Sequence, residues 1–217
     1  MSLQLNHDSG VLNVPKNYSL DNNHNQMRYI FQNNLQYKVT PSTTLGLRMN
    51  AQISNLKSPN TSTDDIFRQV YNNNPVLYPA IFPDDGSGFI KFGSDYISSG
   101  SYYTNPYANM LNSFKEVNES KLNVSLNFDQ KLDFITQGLS VTALVNFNAW
   151  SSSSYTRSLT PYLYRVVPGS YNIVADRYAL ELLREGETYI NQSNVSRTSD
   201  NLFYFDARLN YNRRFGK

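Results

Sequence analysis

Leu45-Gly46-Leu47-Arg48-Met49-Asn50-Ala51-Gln52-Ile53-Ser54 alternates without a break. The odd positions are apolar and the even ones are polar or glycine, and a period of two sends successive side chains to opposite faces of a β-strand. Four further segments share the pattern. From Tyr29 the odd positions read Tyr29, Phe31, Asn33, Leu35, Tyr37 and Val39. Leu122, Val124, Leu126 and Phe128 follow on even positions, then Leu139, Val141, Ala143, Val145 and Phe147, and finally Phe203, Phe205, Ala207, Leu209 and Tyr211. These runs predict strands near 28–39, 43–56, 117–130, 138–150 and 201–214.

Each run is about 10 residues or longer, the length a tilted strand needs to cross a bilayer, whereas soluble strands average about 5 to 6. The connections alternate as well. Thr40-Pro41-Ser42 and the run around Asp133 to Gln137 are short, while about 60 residues separate the second and third strands and about 50 the fourth and fifth, far beyond usual loop lengths. Outer-membrane barrels have this asymmetry, with short periplasmic turns and long extracellular loops. The expected fold class is therefore all-β, antiparallel strands forming part of a transmembrane barrel. A soluble β-sandwich explains the alternation, one face buried and one wet, but not strand length and connection asymmetry together.

Composition agrees. The longest apolar runs, such as Tyr162 to Val167, fall far below the roughly 20 residues of a spanning helix, and a mean hydropathy of −0.51 still allows a barrel, whose strands turn only every second residue to lipid. Seventeen Tyr, twelve Phe and one Trp favour strands. A net charge of +2 without a basic cluster argues against a nucleic-acid partner. The chain has no Cys, and its two histidines, His7 and His24, stand in a polar leader away from any Ser/Asp pair, so no catalytic residue, metal site or cofactor is expected. The Asp84-Asp85-Gly86-Ser87-Gly88 run lacks calcium-loop spacing and reads as a turn, like the stretches around Pro75, Pro79 and Pro83. Residues 1–25 read as a leader and preceding loop without a signal peptide, which makes the chain an excerpt of an exported protein. Residues 26–217 read as the five-strand segment. Within the loops, Thr63 to Tyr71 suggests a helix with Thr63 as N-cap, and Asp176 to Arg184 a second one. The loop residues Tyr102, Tyr103, Asn105, Tyr107, Tyr162 and Tyr164 are candidate ligand or partner contacts, since their flat rings and polar tips suit sugars or peptides.

Several blocks resemble SusC/RagA-type TonB-linked outer-membrane proteins. They are Arg28 to Leu35 with Thr43-Thr44-Leu45-Gly46-Leu47; Asn74-Pro75-Val76-Leu77-Tyr78-Pro79-Ala80; Asn105-Pro106-Tyr107-Ala108-Asn109-Met110; Phe134-Ile135-Thr136-Gln137-Gly138-Leu139-Ser140; and Leu209 to Gly216. They stand in the family's order. The resemblance implies a 22-strand barrel with a plug, a SusD-like surface lipoprotein over the pore, and TonB-powered import of glycans or peptides, with the plug and the TonB-contacting segment outside this chain. The alternative is a soluble or surface-attached carbohydrate-binding β-domain without transport.

The barrel reading makes geometric demands. The apolar sets should face outer-membrane lipid, and Arg48, Lys121, Asp129, Asp206 and Arg208 should face the lumen. Tyr37, Phe128 and Tyr211 should form one aromatic belt near the turns, and Phe31, Phe147 and Phe203 another at the far end. Leu35, Leu47, Met49, Val124, Ala143 and Ala207 are expected between the two belts.

Overall fold

The computed structural model describes residues 1–12 and 23–214. Part of the 1–25 leader and the Phe215-Gly216 end of the last resembling block lie outside them. In chain order the elements are β1 (Ser2–Ser9), β2 (Asn25–Thr40), β3 (Thr43–Pro59), α1 (Thr63–Asn72), β4 (Lys91–Gly93), β5 (Tyr96–Ser98), β6 (Ser101–Tyr102), α2 (Pro106–Leu111), β7 (Ser113–Lys131), β8 (Leu139–Ser158), β9 (Tyr162–Val166), β10 (Leu180–Arg184), β11 (Asn191–Gln192) and β12 (Ser196–Tyr211).

One large antiparallel sheet dominates, in the order β1-β2-β3-β7-β8-β12, with β11 pairing β8 beyond the start of β12. The five expected strands are neighbours in sequence order, and each is longer than its apolar run. Residues 2–9, expected as leader, instead pair with β2, setting Leu3 against Phe31 and Leu5 against Tyr29. The Ser2-Leu3-Gln4-Leu5-Asn6 alternation carries only two apolar side chains, so its strand character comes from the neighbour's edge rather than from its own pattern.

The register decides which residues share a face. Leu35, Leu47, Leu126, Val145 and Phe205 stand in one cross-strand row, and Tyr37, Leu45, Phe128, Ala143 and Ala207 in another. All the apolar sets therefore lie on a single face. Arg48, Lys121, Asp129, Asp206 and Arg208 lie on the opposite one, where Arg208 pairs with Asp206 at 2.8 Å and Lys121 with Glu119 at 3.2 Å. Trp150 Nε1 donates to Glu119 at 2.6 Å, Asn146 donates to Ser125 at 2.6 Å, and Asn123 donates to Asn148 on that same polar face.

The aromatic sets fall toward opposite ends, with one adjustment. Ala143 and Ala207 share the row of Tyr37 and Phe128, while Met49 and Val124 share that of Phe147 and Phe203. These four residues thus stand level with aromatic residues rather than between two aromatic rows, which corrects their placement in a middle band. Phe205 also stands in the middle row, an aromatic where only aliphatics were expected.

Both tight turns lie at the same end. Thr43 Oγ1 donates to Gln130 Oε1 at 2.5 Å and the Lys131 amide to the Ser42 carbonyl at 2.8 Å. The β7–β8 turn closes through the Leu132 amide on the Leu139 carbonyl at 2.8 Å. Gly138 adopts φ 86° there, and its carbonyl accepts from the Asn212 amide at 2.8 Å. A Cβ at this position would meet the Asn212 carbonyl oxygen at 2.0 Å. Gly138→Ala combines a left-handed backbone with a clash and is expected to cost about 2 kcal/mol or more, measured as a shift in the denaturant midpoint of the sheet.

The sheet has no core of its own. Exposed side chains on its apolar face include Leu35, Tyr37, Ile53, Leu126, Phe203, Phe205 and Leu209, the last three at 60 % or more. The buried cluster sits instead among the long connections at the end away from the turns, where Ile66, Phe92, Ala108, Met110, Leu111, Leu163 and Leu183 pack together. Parallel pairing of β4 with β9, and antiparallel pairing of β9 with β10, joins the two connections into one three-stranded sheet.

Two helix expectations change. The N-cap of α1 is Ser62, one residue earlier than Thr63; its Oγ accepts from the Asp65 amide at 3.1 Å and donates to the Asp65 carboxylate at 2.7 Å. Asp176 to Arg184 is not helical. The Asn172 side chain accepts from the Val174 and Ala175 amides, Asp176 takes φ 47°, and the chain then enters β10. A local Asx turn and cross-strand pairing outweigh the leucine spacing.

Candidate functional site

Five of the six candidate contact residues are held chiefly by packing or internal hydrogen bonds. Asn105, only 3 % exposed, caps α2, its Oδ1 accepting from the Tyr107 and Ala108 amides at 3.0 and 3.1 Å. Its Nδ2 donates to the Ala80 and Gly93 carbonyls, both at 2.8 Å. That amide has no capacity left for a ligand, which corrects its reading as a contact. Asn105→Ala removes the cap and orphans two carbonyls; the expected loss is about 3 kcal/mol, confined to the loop body. Faster hydrogen exchange at the Gly93 and Ala108 amides, with the sheet unchanged, is the measurement.

Tyr162 stacks on Phe89 at 4.0 Å, Tyr102 tilts against Tyr96 at 5.5 Å, Tyr103 against Tyr78 at 6.0 Å, and Tyr107 packs on the buried cluster. Burial and the nearby Tyr103 push the Tyr78 hydroxyl's pKa up. The two stretches nevertheless meet. Fully buried Ser94 donates its amide to the Tyr164 carbonyl at 2.9 Å and its hydroxyl to the Tyr103 carbonyl at 2.7 Å.

Tyr164 lines an open cleft of about 480 Å³ between the two long connections, with Asp84, Asp85, Lys91, Arg177 and Tyr178 around it. Lys91 Nζ lies 5.0 Å from the Tyr164 ring centroid and pairs with Asp85, whose carboxyl its hydrogen bond holds down at about 2. Asp176, also at the cleft, accepts from the Tyr171 hydroxyl at 2.5 Å.

Comparisons with family models, with curated proteins and with solved structures find no match.

The chemistry must therefore be argued from the groups themselves. The cleft brings together a cationic donor at Arg177, an acceptor at Asp84 and an exposed ring at Tyr178. No group of three His, Cys, Asp or Glu side chains converges among the described residues. Sequence reading missed Lys91, Arg177 and Tyr178 because only the β4–β9 pairing brings positions so far apart in the chain together. Asp84 and Asp85 were visible, but as a turn.

The polar face of the sheet is the second concave surface. Arg48, Asp129, Asp206 and Arg208, with Asn34 and Asn127, line a shallow trough of about 510 Å³ near the turn end.

Proposed function

We propose that this chain is a wall segment of an outer-membrane barrel that imports glycans or peptides, of the SusC/RagA TonB-dependent type. One observation carries the reading: an apolar face on which no second layer packs among the described residues, bounded at both ends. On β3 it runs from Leu45 to Ile53 and on β12 from Phe203 to Tyr211, each nine residues or about 30 Å along the strand, about 23 Å after a 40° tilt. Outer-membrane barrels carry an apolar band about 25 Å tall. A soluble carbohydrate-binding domain would bury such a face against a second layer. No helix among the described residues is long and apolar enough to cross a membrane, which leaves the strands as the spanning elements of this reading.

On this reading the five charged side chains opposite the band face the lumen and plug. The loop body stands outside the cell, where a SusD-like lipoprotein would cap the pore and the Tyr164 cleft would meet the incoming nutrient. TonB acts through segments outside this chain. Nutrient is bound and passed without bond chemistry. The test is uptake in cells carrying the full-length gene. Deletion should abolish energy-dependent accumulation of one oligosaccharide or peptide class, and unchanged uptake of every such class would refute the importer reading.

A further inference from the structure

The apolar face ends differently at its two ends. Toward the turns its last outward residues are Val39, Thr43, Gln130, Leu139 and Tyr211, and none is charged. At the other end come two mostly polar rows, first Ser120, Ser151 and Ser199 level with Ile53, then Asn55, Asn118 and Ser153 level with Arg197. Beyond or beside them stand three outward cations on three strands, Lys57 on β3, Arg157 on β8 and Arg197 on β12. Lys57 Nζ lies 4.5 Å from the Phe114 ring centroid, and the Arg157 guanidinium lies 6.0 Å from it and 5.4 Å from that of Tyr155. Phe114 is buried, so the rings fix both cations at the sheet surface. Arg157 also donates from Nε to Gln192 at 3.1 Å. Glu116, directly opposite Lys57 in the register, accepts a hydrogen bond from the Tyr155 hydroxyl. None of the three cations forms an ion pair among the described residues.

We propose that Lys57, Arg157 and Arg197 form a docking surface for phosphate-bearing lipid headgroups in the leaflet on the loop side. The inference rests on the reading of the apolar face as bilayer-facing. Cations just past the hydrocarbon boundary meet the headgroup layer, and each is worth roughly a few-fold in affinity for an anionic surface. The last outward strand residues at the turn end carry no charge, so the three cations distinguish the two ends of the apolar face. Ring-backed cations hold their positions with less loss of side-chain freedom than free lysines.

The test folds the full-length barrel that carries these strands from urea into vesicles of phosphatidylcholine alone or mixed with phosphatidic acid, followed by flotation. The wild-type chain should insert into both and favour the phosphatidic acid vesicles by about a hundredfold. Lys57→Gln/Arg157→Gln/Arg197→Gln should insert equally well into phosphatidylcholine but lose that preference. Arg48→Gln/Arg208→Gln, which removes charge from the opposite face, should keep it. A triple variant that retains the preference overturns the inference while leaving the membrane reading intact. Failure of every chain to insert overturns the membrane reading, and the inference with it. Inorganic phosphate added at matched ionic strength should leave the preference in place; its abolition would assign the cations to a free anion and refute the lipid site.

Discussion

Arginine in place of Leu126 or Val145 should cost about 2–4 kcal/mol in a bilayer, while Ser125→Arg should cost far less. Leu126 and Val145 stand opposite each other in the middle row of the apolar face, and Ser125 is the adjacent residue on the polar face. A guanidinium at the bilayer midplane must be dehydrated or must drag water and headgroups inward, a penalty that falls toward zero near the interfaces. Ser125→Arg would place the same charge beside Arg48 and Asn146 in a wet trough. Urea titrations in vesicles compare the three midpoints directly. Equal penalties on both faces, or none at Leu126 and Val145, would exclude lipid contact. Gln52→Arg serves as a second polar-face control nearer the far end of the sheet.

The second large effect is dependence on an amphiphile. Among the described residues β1 and β12 form the unpaired edges of the sheet, and β12 is exposed along almost its whole length on both faces. An unpaired edge beside an uncovered apolar surface is a template for association. The chain should sediment as large aggregates in buffer and as a single species in detergent micelles, with the same strand content by circular dichroism once dissolved. A monodisperse, cooperatively melting monomer without detergent would require another layer over Leu47, Val145 and Phe205 and would remove the ground for a barrel.

The sheet was legible because its signal is local and repeated. Parity alone fixes which of two faces a strand residue takes, so once Leu45 and Phe128 were assigned outward, the register had to bring Ala143 and Ala207 to the same side. Short turns made the pairing order readable too. β1 escaped because two leucines are too few to establish a period, and its partner is set by β2. The connections were opaque for a related reason. Leucines at Leu180, Leu182 and Leu183 fit a helix or a strand, and the choice was made by Asn172, Asp176 and the edge of β9. Asn105 looked like a ligand contact because a polar residue among tyrosines has the same appearance whether its amide faces solvent or caps a buried helix. The cleft at Tyr164 depends on a pairing between positions separated by the whole of β7 and β8, which no window along the chain can reveal.

The parallel pairing of β4 with β9 also governs how the surface can be re-engineered. Lengthening or shortening the first connection displaces Lys91 and Phe92 relative to Tyr162 and Leu163, and so disturbs the second connection at a distance. Ser94 doubles that tie by bonding to both Tyr103 and Tyr164. Neither loop is a free cassette. A chimera that transplants one without the other should inherit the specificity of neither parent, and the smallest exchangeable module is the pair together with the roots of β7 and β8 that hold them apart.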